Sequence, residues 1–141
     1  MLQKYNFPPE LLELEITEGV LLSGEMRWIV DRIIQMGVGI AIDDFGTGHS
    51  SLAYLRHFNA RTLKIDGSFL HDLPADLNGC MLINSIIKLG HSLGMTVVSE
   101  GVEREDQLEL VELAQVDQVQ GYAIAEPLFA DEYLCLQDLP G

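Results

Sequence analysis

The segment Ile40-Ala41-Ile42-Asp43-Asp44-Phe45-Gly46-Thr47-Gly48 decides the fold of this chain. It begins with an apolar, β-branched run of the kind that forms a buried strand. Asp43 and Asp44 end that run, and a glycine-rich turn and a predicted helix N-cap at Ser50-Ser51 follow. Because adjacent unpaired carboxylates would repel each other, we expect a positive group between them. A hard divalent cation is the simplest candidate, and the alternative is that both carboxylates only cap the next turn.

Strand-like and helix-like patterns alternate along the rest of the chain. Strands are predicted over residues 11–17, 62–66, 95–99 and 116–120, and helices over residues 26–36, 54–59 and 78–93, with another helix opened by Glu103. This alternation predicts an α/β fold in which parallel strands are joined by right-handed crossovers.

Polar residues gather where the predicted strands end. Ligand sites of parallel α/β folds occupy this edge of the sheet. Lys64 interrupts an apolar strand, so it must either meet carboxylates or lie solvated on an edge strand. The acidic members are oxygen ligands suited to Mg²⁺ or Mn²⁺, and two such ions can hydrolyse a phosphodiester. The set comprises Glu15, Asp43, Asp44, Lys64, Asp66, Glu100 and Gln120.

Composition narrows the class of protein. The chain has 141 residues, 48% of them hydrophobic, which is enough for one domain with a core. Its formal net charge of −14 argues against a protein that binds duplex nucleic acid through a basic face. Neither a signal peptide nor a membrane-spanning apolar run is apparent, so we expect a soluble cytoplasmic setting.

Five motifs together resemble the EAL-domain phosphodiesterases of bacterial cyclic di-GMP signalling. The resemblance implies a TIM-like (β/α) barrel and metal-dependent hydrolysis of cyclic di-GMP to linear pGpG. In chain order the motifs are Glu15-Ile16-Thr17-Glu18, Asp43-Asp44-Phe45-Gly46-Thr47-Gly48, Leu63-Lys64-Ile65-Asp66, Glu100-Gly101-Val102-Glu103 and Gln120-Gly121-Tyr122.

The same resemblance implies a role for each matching residue. The metal ligands of a two-metal Mg²⁺ or Mn²⁺ site would be Glu15, Asp43, Asp44 and Glu100. The catalytic group would be Lys64, beside the attacking water, together with Glu100, Asp66 and Gln120. The substrate and loop group would be Glu18, Phe45, Gly46, Thr47, Gly48 and Glu103, with Glu18 steadying the loop that follows Phe45.

Some features of the family are absent from this sequence. The Glu-Ala-Leu signature and the asparagine ligand after it do not occur, so residues 1–141 are expected to form the C-terminal portion of an EAL domain. A partial barrel that lacks its N-terminal strands is therefore predicted. Gly67 and His49 stand where the family commonly has arginine and tyrosine, which would weaken substrate contacts.

These departures leave three functional interpretations. In the first, the complete domain hydrolyses cyclic di-GMP although this chain alone is inactive. In the second, a truncated domain binds cyclic di-GMP or a partner protein without hydrolysis. In the third, an exposed sheet edge pairs with a second copy and gives an inactive dimer. A homodimer is expected, and the parent protein is expected to carry an upstream sensory or GGDEF-type domain.

Overall fold

A computed structural model describes residues 2–17, 19–20, 26–46, 55, 59–129 and 132–133. Its strands form a five-stranded parallel sheet whose spatial order follows the chain, as the α/β prediction requires. The strands are β1 (Glu13–Thr17), β2 (Gly39–Phe45), β3 (Thr62–Ile65), β4 (Thr96–Ser99) and β5 (Gln118–Val119). The α-helices are α1 (Arg27–Gln35), α2 (Leu77–Ser92) and α3 (Glu105–Leu113). Short 3₁₀ helices span Leu2–Tyr5, Pro9–Leu11 and Gly67–Leu70.

Several predicted boundaries shift for identifiable reasons. β1 starts at Glu13 instead of residue 11, because Pro9–Leu11 forms a 3₁₀ turn with proline at its start. The last predicted helix begins at Glu105 instead of Glu103, since Arg104 is an extended N-cap residue. Of the helix predicted over residues 54–59, the structure describes only Leu55, which is helical, and Asn59, which is not. Residues 54 and 56–58 and the predicted N-cap at Ser50-Ser51 lie outside the described residues.

The sheet has one apolar face and one polar face. Ile42, Leu63 and Val97 are fully buried on the face that packs against the helices. Val30 of α1 and Ile83 of α2 belong to the same core. Because side chains alternate along a strand, the neighbours of these core residues point to the opposite face, where charged groups collect. No helix within the described ranges is long and apolar enough to cross a membrane.

Candidate functional site

Lys64 lies at the centre of the charged cluster on the polar face. Its Nζ is 2.5 Å from Glu15 Oε1, 2.7 Å from Glu100 Oε1 and 3.8 Å from Asp43 Oδ1. The Lys64 side chain is 10% exposed, and β3 is the central strand of the sheet, so the solvated edge-strand alternative is excluded. The positive group expected beside the strand-end carboxylates is therefore, in this structure, the ammonium group of Lys64.

The carboxylates keep this ammonium group charged. Burial by itself would lower the pKa of Lys64, because it penalises the charged form. Hydrogen bonds to Glu100 and Glu15, together with the negative charges of Glu100 and Asp43, outweigh burial and raise the pKa above its ordinary value of 10.5. Lys64 therefore supplies a permanent positive charge and hydrogen-bond donors at neutral pH.

A bulge in β2 places both aspartates opposite Lys64. Ile42 pairs with Leu63 and Phe45 with Ile65, so the register gains an extra residue between these two pairs. Asp44 occupies the left-handed region with φ +54°, and its N–H donates to Asp43 Oδ1 at 3.0 Å. Left-handed backbone at a non-glycine residue is strained, and bulges of this kind re-aim side chains beside functional sites. The Asp-Asp strand thus continues to Phe45 instead of ending at the carboxylates.

Asp66 serves the loop that follows β3. Its Oδ1 accepts a hydrogen bond from the N–H of Ser68 at 2.9 Å and caps the 3₁₀ helix Gly67–Leu70. Hydrogen bonds from Ser68, with a smaller one from the Gly67 backbone, lower the pKa of Asp66. This contact fixes the end of the strand that carries Lys64, and it gives Asp66 a structural role irrespective of any catalytic one.

Gln120 follows β5 at the same edge of the sheet. Its N–H donates to Ser99 O at 2.9 Å, and its carbonyl oxygen accepts from Val102 N at 3.2 Å. The residue is exposed. The backbone therefore brings Gln120 beside the loop that carries Glu100, as the strand-end prediction required.

The predicted substrate and loop residues are placed less uniformly. Phe45 is buried, with 3% exposure, and belongs to the core. Gly46 has φ +93°, and an added Cβ would lie 2.7 Å from the ring of Phe69, so glycine is needed there. Glu103 is exposed before α3, and its N–H donates to Gln107 Oε1. Glu18, Thr47, Gly48 and His49 lie outside the described residues.

The cluster suits a metal ion in its donor atoms but not in its arrangement. Carboxylate oxygens from three chain segments are donors that Mg²⁺ and Mn²⁺ prefer. Within the described ranges, however, no three acidic, histidine or cysteine side chains are grouped so that they could hold an ion. The carboxylates instead surround Lys64.

Two polar residues next to the site, Gln107 and Thr62, were not predicted from the sequence. Gln107 is 2% exposed and hydrogen-bonds to the loops after both β3 and β4. Thr62, which precedes Lys64 by two residues in β3, donates from its Oγ1 to Glu13 Oε2 at 2.8 Å. A glutamine three residues after a helix N-cap is a capping-box signal, so Gln107 carried a readable pattern, whereas Thr62 carried none.

The model of the EAL domain family matches residues 1–127. The chain belongs to the EAL domain family. It is 37% identical over 135 residues to the bifunctional diguanylate cyclase/cyclic di-GMP phosphodiesterase MucR of Pseudomonas aeruginosa, covering 94% of this chain and 20% of that protein. It is 35% identical over 137 residues to the cyclic di-GMP phosphodiesterase RocR of the same organism, covering 95% of this chain and 35% of RocR.

Solved EAL domains share the fold described above. The MucR phosphodiesterase in complex with c-di-GMP superposes with a TM-score of 0.87 at 36% identity, covering 94% of this chain and 54% of that one. The EAL domain of Mycobacterium smegmatis DcpA gives a TM-score of 0.86 at 31% identity, with 96% and 61% covered. This chain spans 54% and 61% of these two EAL structures, and between 17% and 35% of the length of the curated relatives YkoW, MucR and RocR.

Proposed function

We propose that the complete domain containing this chain hydrolyses cyclic di-GMP to linear pGpG. The observation that carries the proposal is the convergence of Glu15, Asp43 and Glu100 on Lys64 at the carboxyl-terminal edge of a parallel sheet. Active sites of (β/α) barrels lie at this edge. Family membership and the phosphodiesterase names of MucR and RocR support the choice of substrate.

The chemistry assigned to this chain centres on Lys64 and Glu100. Water adds to one phosphorus of the cyclic dinucleotide, and the P–O3′ bond breaks to leave a 5′-phosphate and an O3′ that takes up a proton from solvent to become a hydroxyl. Lys64 donates a hydrogen bond to the attacking water or to the phosphate oxygen on which charge develops. Glu100 is the proposed acceptor of the proton that the water loses, and its 2.7 Å contact with Lys64 Nζ supports this role. Asp66 and Gln120 complete the proposed catalytic group by holding the two loops.

Metal dependence belongs to the same proposal. Glu15, Asp43, Asp44 and Glu100 are the proposed ligands of Mg²⁺ or Mn²⁺ in a two-metal site of the complete domain. The support is their donor chemistry, together with the bulge that sets Asp43 and Asp44 between the Ile42–Leu63 and Phe45–Ile65 pairs. Phe45, Gly46, Thr47, Gly48, Glu18 and Glu103 are proposed to shape the loop beside the substrate.

A second candidate function is binding of cyclic di-GMP without hydrolysis. Lys64 already compensates part of the carboxylate charge, so the pocket is assembled by side chains of the chain itself. An ammonium group at the centre of such a pocket can contact a phosphate oxygen directly. On this alternative the chain is a binding or protein-interaction module.

The test is a turnover assay on this chain with and without a supplied N-terminal half of an EAL domain. Formation of pGpG from cyclic di-GMP, in Mg²⁺ or Mn²⁺, is followed by chromatography. The enzyme proposal expects turnover when both halves are present, and its loss in Lys64→Met. Saturable nucleotide binding without turnover in the assembled domain would favour the binding module. If the assembled domain shows no binding and no turnover, both proposals are contradicted.

The remaining proposals concern the protein's setting. We propose a cytoplasmic homodimer and a parent protein with an upstream sensory or GGDEF-type domain. A bifunctional cyclase/phosphodiesterase among the relatives supports the last of these. Analytical ultracentrifugation of the complete domain tests the dimer, since a monomer at all concentrations would contradict it.

A further inference from the structure

The buried side chain of Gln107 connects the two loops that carry the proposed catalytic residues. Its Nε2 donates to Leu70 O at 2.8 Å, in the loop after β3. Its Oε1 accepts from Glu103 N at 3.0 Å and Arg104 N at 3.1 Å, in the loop after β4. Gln107 is 2% exposed and Leu70 is fully buried, so water does not compete effectively for these bonds.

Only half of this arrangement is explained by helix capping. Acceptance of the Arg104 N–H by a glutamine three residues into the helix is one half of a capping box. The donated bond to Leu70 O spans 37 residues of sequence and contributes nothing to the helix. A capping residue needs the acceptor oxygen, whereas this site uses the donor nitrogen as well.

Close backbone contacts also join the loop after β3 to the loop after β4. An added Cβ on Gly67 would lie 3.1 Å from Gly101 Cα, and one on Gly101 would lie 2.9 Å from Gly67 Cα. Gly101 also has φ +63°, a conformation that favours glycine. The N–H of Glu100 donates to Ile65 O at 3.0 Å, which joins the ends of the two strands directly.

Arg104 adds a second bridge next to Gln107. Its Nη1 donates to His71 O at 3.4 Å, and its Nη2 donates to Leu73 O. Both acceptors lie in the segment after the 3₁₀ helix Gly67–Leu70, so Arg104 and Gln107 hold successive parts of one loop. Since Asp66 caps that 3₁₀ helix, the bridge reaches the end of the strand that carries Lys64.

We propose that Gln107 is a positioning residue that fixes the loop after β3 against the loop after β4 through its hydrogen bond to Leu70 O. It thereby sets the separation of Lys64 from Glu100, which stand 2.7 Å apart. Gln107 acts through these residues and does not contact substrate. The consequence for catalysis rests on the proposed hydrolysis, whereas the consequence for the loops does not.

The test separates the two arms of the Gln107 amide. Gln107→Glu keeps an acceptor for the Glu103 and Arg104 N–H groups but, when ionised, has no donor for Leu70 O. Gln107→Met has neither arm. Gln35→Glu is the matched control, since it makes the same change at an exposed position near the end of α1. Hydrogen exchange on the 141-residue chain is measured above pH 7.

The Phe69 amide donates to Asp66 O at 3.2 Å within the 3₁₀ helix that ends at Leu70. We expect Gln107→Glu to raise its exchange rate at least tenfold while the Glu103 and Arg104 amides keep their protection. Gln107→Met should expose all of these amides, and Gln35→Glu none. Unchanged exchange at Phe69 in both Gln107 variants would overturn the proposal. This readout needs no substrate, so it decides the loop bridge even if the domain does not hydrolyse cyclic di-GMP.

A kinetic split then tests the consequence for catalysis in the assembled domain. Gln107→Glu should lower kcat about tenfold with KM within twofold of the wild type, because the bridge sets Lys64 against Glu100 and not the nucleotide pocket as a whole. An unchanged kcat in both Gln107→Glu and Gln107→Met would overturn the positioning role, because the carboxyl of Gln107→Glu donates to Leu70 O when it is protonated and the methionine side chain does not. Equal loss of kcat in Gln35→Glu would overturn it too, because the effect would then be one of added charge.

Discussion

The two ends of the sheet handle charge in opposite ways. At the carboxyl-terminal edge, Glu15, Asp43 and Glu100 converge on Lys64, so three negative charges share one positive charge. At the amino-terminal edge, two hydrogen bonds join polar groups of neighbouring chain segments. Thr62 donates to Glu13 there, and Arg61 Nη1 donates to Glu10 O at 3.0 Å.

The backbone differs between the two ends as well. The carboxyl-terminal edge contains the β2 bulge and the left-handed Asp44. The amino-terminal edge keeps regular register, with Glu13 opposite Gly39 and Thr62 opposite Thr96. Strain and unbalanced charge lower stability unless a ligand is bound, so they mark the edge that serves function. Paired groups on regular backbone mark the edge that serves stability.

The largest expected effect is at Asp43. Its carboxylate lies 3.8 Å from Lys64 Nζ, the longest of the three contacts, so its removal should barely change stability. Asp43→Asn should abolish Mn²⁺ binding in calorimetry and leave the free energy of unfolding within about 0.5 kcal/mol of the wild type. Asp31→Asn, on the exposed face of α1, is the control. Unchanged metal affinity in Asp43→Asn would contradict the two-metal proposal.

Lys64 should carry the largest effect on stability. Its replacement by methionine leaves the Glu100 and Glu15 carboxylates without their partner in a mostly buried site. We expect Lys64→Met to lower the free energy of unfolding by about 2–3 kcal/mol, reduced from the fully buried case because Glu15 is half exposed. Urea denaturation measures the loss. Lys88→Met, at an exposed position of α2, should change little, and equal losses would mean that the cluster is not what matters.

A smaller effect is expected at the amino-terminal edge. Thr62→Val removes the 2.8 Å hydrogen bond to Glu13 Oε2 without changing the size of a buried side chain. The cost should be about 1 kcal/mol in urea denaturation. Cyclic di-GMP binding should be unchanged, because the residue belongs to the edge assigned to stability. A tenfold loss of cyclic di-GMP affinity in Thr62→Val would contradict the assignment of binding to the carboxyl-terminal edge alone.

The smallest effect should depend on pH. The N–H of Val97 donates to Asp117 Oδ2 at 2.7 Å, and this bond, with a further one from His91, lowers the pKa of Asp117 below its ordinary 3.8. A carboxyl whose folded pKa is lowered stabilises the fold above its unfolded pKa and ceases to do so as pH falls through the folded value. At neutral pH the free energy of unfolding of the wild type should exceed that of Asp117→Asn by about 0.5 kcal/mol. The effect is small because the His91–Asp117 pair is partly exposed.

Acid titration of the unfolding free energy checks this expectation. The difference between wild type and Asp117→Asn should shrink as pH falls below 3.8, because protonation removes the charge that the variant already lacks. Asp31→Asn serves again as the control. A difference that grows as pH falls below 3.8 would have the wrong sign and would contradict the assignment.

The parallel sheet and the edge that carries the site could be predicted from the sequence. Apolar runs followed by acids, such as Asp43 after Ile42 and Glu100 after Ser99, indicate the strand direction and place the polar groups near one edge. The cost of burying an ammonium group left two alternatives for Lys64, carboxylate partners or a solvated edge strand. The central position of β3 in the sheet decides for the carboxylates.

The bulge and the loop bridge could not be predicted in the same way. Register depends on which residues oppose each other across two strands, and the local pattern around Asp44 does not contain that information. Gln107 looks like an ordinary capping residue until the chain brings Leu70 O to its amide. Strand ends were also set by neighbours, as β5 shows by pairing over only Gln118–Val119.

Calorimetric titration of the complete domain with cyclic di-GMP in the presence of Mn²⁺ tests the central claim most directly. We expect saturable binding by the wild type, the same affinity in Thr62→Val and Lys88→Met, and at least a tenfold loss in Lys64→Met under conditions where that variant is folded. Equal affinity in Lys64→Met and the wild type, or no binding by the wild type, would contradict the assignment of the site to the carboxyl-terminal edge.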